Sequence, residues 1–155
     1  MQLLGHLALG YFSGTIASKY TKDKINLLLI WISSMLPDLD FFARAYIVHR
    51  GPMHSILLAA ILFMPIYLVT RRGLPYFAAL ASHTLIGDYL NPPEMLFWPA
   101  SSDWYGAPSY LALTGMRLVL VEVSLFALMA IVIVAVQRRS KSQENPFTYI
   151  REYQS

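Results

Sequence analysis

All four histidines of this 155-residue chain fall in four short stretches, together with three of its five aspartates. The stretches are Gly5-His6-Leu7, Leu36-Pro37-Asp38-Leu39-Asp40, His49-Arg50-Gly51-Pro52-Met53-His54-Ser55, and Ser82-His83-Thr84-Leu85-Ile86-Gly87-Asp88. Imidazole and carboxylate are the nitrogen and oxygen ligands that zinc and related divalent ions take. The candidate ligands are therefore His6, Asp38, Asp40, His49, His54, His83 and Asp88. Seven exceed the four positions of one tetrahedral zinc. The set points to two ions with a bound water between them.

The elements that must position these residues are apolar. Hydrophobic residues make up 56% of the chain and charged residues 14%, against roughly 25% charged in an ordinary soluble domain. This composition argues against a soluble domain. It favours an all-α, small polytopic membrane bundle. Cysteine is absent, so disulfides and thiolate metal sites are excluded. The net charge of +3 is too small to suggest a nucleic-acid partner. No Lys or Arg precedes Lys19, so the N-terminus lacks the basic start of a signal peptide and reads as a retained first helix. Residues 1–139 form one membrane-embedded domain, and 140–155 a polar cytoplasmic tail. Oligomeric state is left open.

Five helices are expected. The first covers about Leu3 to Ser18, with Gly10, Gly14 and Ser18 at the small-residue spacing that lets membrane helices approach closely. The second covers about Lys24 to Leu36 and stops at Pro37. The third starts near Pro52 and ends before Arg71, with a kink expected at Pro65. The fourth covers about Leu74 to Tyr89 or Leu90, stopped by Pro92-Pro93. The fifth covers about Tyr110 to Gln137 and alone is long enough to span without argument.

Charge placement sets the topology. Lys19, Lys22 and Lys24, then Arg71 and Arg72, then Arg138, Arg139 and Lys141 fall on one side of an up-and-down chain. The positive-inside bias makes that side, and the C-terminus, cytoplasmic. All four ligand stretches then lie towards the opposite, extracytoplasmic face. At a rise of about 1.5 Å per residue, Asp38 and Asp88 sit roughly 21 Å from the cytoplasmic surface, and His83 about 13 Å. Such a site is recessed in the bilayer, and ionisable groups at that depth mark function. The aromatic stretch from Pro92 to Pro108, with Trp98 and Trp104, reads as an interfacial loop: an anchor at headgroup level or a lid over the site.

The runs GHLALG, MLPDLDFF, HRGPMHS and SHTLIGDYLNPPEMLFWPASS, quoted as they stand here, resemble the membrane-bound metal-dependent hydrolase family, the YdjM-like, LexA-regulated proteins. The resemblance covers about Gly5 to Ala107. It implies a hydrolase of the inner membrane, with the seven residues above as matching positions. A more distant likeness is to the helical zinc phospholipase C group. Two departures stand out. Met53 occupies a place where the family usually has Thr. Asp88 follows His83 by five residues where the family commonly has four. On a regular helix five residues separate side chains by about 140°. Both reach one ion only if the helix unwinds at Gly87 or carries a π-bulge; otherwise Asp88 serves elsewhere.

The chemistry so implied is a zinc-activated water acting on a phosphoester, or a similar bond, of a lipid-like substrate. Asp38 is assigned to catalysis as well as to metal binding. Arg50, between two histidines, is a candidate phosphate clamp or a rim residue facing headgroups. Glu122, on the fifth helix at a depth near 22 Å, is a candidate base or extra ligand, or else an interhelical partner. The competing functions are a metal-ion transporter with the same ligands and a membrane structural or regulatory protein stapled by its metal. No internal repeat and no midplane placement of ligands favours the transporter.

Overall fold

A computed structural model describes residues 3–143. Five α-helices run from Leu3 to Thr21 (α1), Leu27 to Met35 (α2), Ile56 to Thr70 (α3), Leu74 to Ser82 (α4) and Gly115 to Gln143 (α5). Two 3-10 segments, Pro37–Ala43 and Pro52–His54, and a π-helical segment, His83–Asp88, complete the helical elements. No strand forms among the described residues; Glu94 and Tyr105 make an isolated bridge. The expected all-α bundle is the observed architecture.

Local chemistry sets the boundaries. The side chain of Asn26 accepts from the N–H groups of Leu28 and Leu29, which starts α2 at Leu27, three residues later than expected. The chain then tightens into a 3-10 segment at Pro37 rather than entering a loop. Ser55 caps α3 by accepting from Leu58 N–H at 3.1 Å. The third helix therefore begins at Ile56, with Pro52–His54 forming a separate turn; Pro65 lies inside it. Leu111 and Ala112 bond back to the Pro108 carbonyl, so a turn occupies the place where the fifth helix was expected to begin, and α5 starts at Gly115. Residues 140–143 of the expected tail continue α5; residues 144–155 lie outside the described residues.

The helix α1 is central, packed against α2, α4 and α5. Gly10 and Gly14 are the reason. A Cβ on Gly10 would run into the Ser34 side chain, and one on Gly14 into Ile30 and to 3.1 Å from the Pro75 carbonyl oxygen. Ser18, the third member of that small-residue series, instead donates to the Asp23 carbonyl at 2.7 Å.

The packing is inside-out by soluble standards. The buried polar side chains include His6, Asp40, His54, His83, Asp88, Glu94 and Glu122, whereas many Leu, Ile and Val side chains are exposed. In α3 no residue is buried. Soluble domains do the reverse; a bilayer is the solvent that reconciles this surface with this core. Gly115–Arg138 is long and apolar enough to cross a membrane; Ile56–Thr70 is apolar but shorter. At the opposite end of α1 from His6, residues Lys22, Lys24 and Arg72 line one cavity of about 390 Å³ with Asp23 and Tyr76. Two of the three basic connections thus adjoin, as the charge pattern required.

Candidate metal centre

Three irregular segments deliver the ligands. The 3-10 segment after α2 carries Asp38 and Asp40, the turn before α3 carries His54, and the π segment after α4 carries His83 and Asp88. The π geometry resolves the five-residue spacing. Tyr89 N–H bonds to the Thr84 carbonyl at 3.0 Å, an i to i+5 bond, and the wider turn brings His83 and Asp88 to one face. Gly87 lies in this turn because a Cβ there would stand 2.6 Å from the His6 ring.

Asp38, His54, His83 and Asp88 each offer a ligand atom within 4.8 Å of all the others. His54 Nε2 is 3.5 Å from Asp38 Oδ1, 3.2 Å from Asp88 Oδ2 and 3.4 Å from His83 Nε2. His83 Nε2 is 3.6 Å from Asp38 Oδ1 and 3.4 Å from Asp88 Oδ2. Metal bonds of about 2.0–2.2 Å at tetrahedral angles separate ligand atoms by about 3.3–3.6 Å. The observed spacing fits one divalent ion. His83 Nδ1 donates to the Ser34 carbonyl at 2.6 Å, which leaves Nε2 with its lone pair towards the other ligands, the arrangement metal-binding histidines adopt.

The other predicted ligands surround this set. His6 Nε2 meets Asp88 Oδ1 at 3.2 Å, and its ring stacks on His83 with centroids 3.7 Å apart. His6 therefore orients two ligands and is outside the four. Asp40 is buried with His49 Nδ1 at 2.7 Å on Oδ1, and with Arg50 N–H at 3.1 Å and His54 Nδ1 at 3.2 Å on Oδ2. Asp40, His49 and His54 form a second group of possible ligands. It shares His54 with the first, and each Asp40 oxygen already faces a nitrogen. A carboxylate behind a ligating histidine fixes ring orientation and raises basicity.

Arg50 departs from expectation. Its guanidinium does not face outward for a phosphate. Nη2 donates to Asp88 Oδ1 at 3.1 Å and Nη1 to the Pro92 carbonyl at 2.8 Å, and the side chain is 16% exposed. Its backbone is left-handed at φ 62°, a strain that surrounding structure must hold; Asp40 does so through the Arg50 N–H. Arg50 is a positioning residue for Asp88. Glu122 is buried on α5 but belongs to neither group of ligands, so it is not placed as an extra ligand. Asp38 has a side chain 29% exposed while those of His54, His83 and Asp88 are at most 1% exposed. It marks the open side of the centre.

One residue was missed. Glu94, in the loop after the π segment, is fully buried, and neither carboxylate oxygen has a hydrogen-bond partner. Burial, and then the charge of Asp88, push its carboxyl up to about 8. In the sequence it sits among prolines and aromatics of an apparent interfacial loop, and nothing in its neighbours announces burial.

Residues 1–146 match the model of the YdjM inner membrane protein family. The chain belongs to that family. No curated protein and no solved structure matches it.

Proposed function

We propose that this protein is a membrane-embedded metal-dependent hydrolase acting on a phosphoester, or related bond, of a lipid-like substrate. The observation that carries the proposal is the convergence of four ligand atoms within 4.8 Å of one another, five of their six separations being 3.2–3.6 Å, around a point with one partly exposed side. His54, His83, Asp88 and Asp38 hold the ion; zinc suits the N₂O₂ donor set. When bound, such an ion lowers the pKa of a water and polarises a phosphoryl oxygen. Two ions were expected from seven ligands. The shared His54 and the engaged Asp40 favour one, with Asp40, His49, His6 and Arg50 as its supports.

The residues divide the remaining work. Asp40 steadies the His54 ring, and Ser34 sets the His83 tautomer. Arg50 and His6 bind one oxygen of Asp88, Oδ1, and leave Oδ2 to the ion. Asp38, as the exposed ligand, borders the approach of water and substrate. A substrate entering from the outer leaflet follows from the charge pattern, which puts the C-terminus in the cytoplasm and the centre towards the extracytoplasmic face. Reporters fused at Ser155 and within residues 44–48 test that orientation.

A metal staple is the second possibility, because four protein ligands complete a tetrahedral zinc and closed sites are structural. Purification in detergent, metal analysis, and hydrolysis of bis(p-nitrophenyl) phosphate separate the two. A hydrolase loses turnover on chelation and regains it with Zn²⁺. A staple loses thermal stability on chelation and shows no turnover in either state.

A further inference from the structure

A buried carboxyl with both oxygens unpartnered is costly, and it persists where something outside the protein completes it. Glu94 is such a group. Its backbone is clamped: Glu94 N–H donates to the Tyr105 carbonyl at 2.9 Å, and Tyr105 N–H returns to the Glu94 carbonyl at 2.8 Å. Arg50 fixes the chain on either side of it. The Arg50 guanidinium holds the Pro92 carbonyl at 2.8 Å, and the Arg50 carbonyl accepts from Met95 N–H at 2.9 Å. The same guanidinium holds Asp88. Glu94 is thus tied, through one arginine, to a ligand of the candidate ion. It interacts electrostatically with Asp88, His54, Arg50 and His83. Yet it is absent from both ligand groups. A buried, unpartnered carboxyl whose backbone is tied through Arg50 to Asp88, and which is outside both ligand groups, could bond a water at a bound ion.

We propose that Glu94 is the proton-transfer residue of the centre, accepting the proton of the attacking water. This rests on the hydrolase assignment above. A bound cation would favour the ionised form of Glu94, and as the water oxygen bonds to phosphorus, its proton passes to a Glu94 carboxylate oxygen. The bond from phosphorus to the leaving oxygen then breaks, and that oxygen takes the proton from Glu94. Glu94 ends as it began, and no further reactant is needed. The water supplies the donor that the orphaned oxygens lack.

The test compares wild type with Glu94→Gln, which keeps the side chain's size, each purified in detergent and loaded with Co²⁺. Both take up the same amount of Co²⁺, because Glu94 is not a ligand. The pH midpoint of the visible-spectrum change that reports ionisation of the ion's water moves in the variant by about one unit or more. Hydrolysis of bis(p-nitrophenyl) phosphate falls about 10²–10⁴-fold in kcat, with KM little changed. A variant with the wild-type midpoint and rate overturns the proposal. So does a variant that fails to take up Co²⁺, since Glu94 is then a ligand. If wild type binds Co²⁺ but hydrolyses nothing, the hydrolase assignment falls, and the midpoint alone decides Glu94: a shift upholds its bond to the water, and no shift overturns it. A wild type that binds no Co²⁺ overturns both.

Discussion

The two ends of the α1 helix treat charge in opposite ways. At the His6 end, titratable side chains are buried and meet one another: His54 faces Asp38, Asp40 and Asp88, and Asp88 also takes Arg50 and His6. At the far end, Lys22, Lys24 and Arg72 line a cavity of about 390 Å³ together with Asp23 and Tyr76. Buried charges persist only when paired or coordinated, and the groups at the first end are paired with one another in an arrangement that could hold a metal ion. The second gathers cations from two of the connections between helices. The same small bundle thus has one end whose charged groups are buried against each other and one whose cations line a cavity with Asp23.

Substitutions can break that contrast, and the largest effect is expected at His54, which sits in both ligand groups. His54→Ala should reduce bound metal to background, read by elemental analysis of purified protein. Retention of a full equivalent would remove His54 from the centre. Asp40→Asn should weaken metal affinity about 10–100-fold without abolishing binding, the effect of losing a carboxylate behind a ligating histidine. Competition with a chromophoric chelator measures it, and a complete loss would make Asp40 a ligand instead.

A smaller effect concerns pH. Glu94 holds its proton to about 8, against an ordinary 4.5, with Asp88, His54, Arg50 and His83 as the charged groups around it. A group with a raised folded pKa contributes stability that is full below its unfolded pKa and is lost as pH rises through the folded one. The metal-free protein should therefore melt at falling temperature between about pH 5 and 8, and Glu94→Gln should flatten that slope in thermal scans. An unchanged slope would place the titration elsewhere. The smallest effect belongs to the far end. Replacing Lys22, Lys24 and Arg72 together by Gln should leave metal content unchanged; a drop would show that the two ends are coupled.

Much of this was legible from residue types. The four stretches met in space because each His or Asp lies in an otherwise apolar setting, where a bilayer leaves polar groups no partner but each other. The five-residue gap from His83 to Asp88 required a deformed helix, and the π segment is that deformation. The division of labour was not legible. Asp38 and Asp40 are two residues apart on a 3-10 turn of three residues, so they face different neighbours, one the ion's ligands and the other the backs of His49 and His54. That turn was hidden because Pro37 signals only where α2 stops. Arg50 and Glu94 were beyond reach for another reason. Their partners are set by tertiary contacts, Asp88 and Pro92 for Arg50 and Tyr105 for the Glu94 backbone, which no local spacing encodes.

The central claim is that one ion binds between Asp38, His54, His83 and Asp88. Anomalous scattering at the zinc edge, from crystals of the zinc-loaded protein, tests it most directly. The account predicts a single peak within about 2.0–2.2 Å of the ligand atoms of those four residues. A peak confined to Asp40, His49 and His54, a pair of peaks bridged by His54, or no peak near any of them would contradict it.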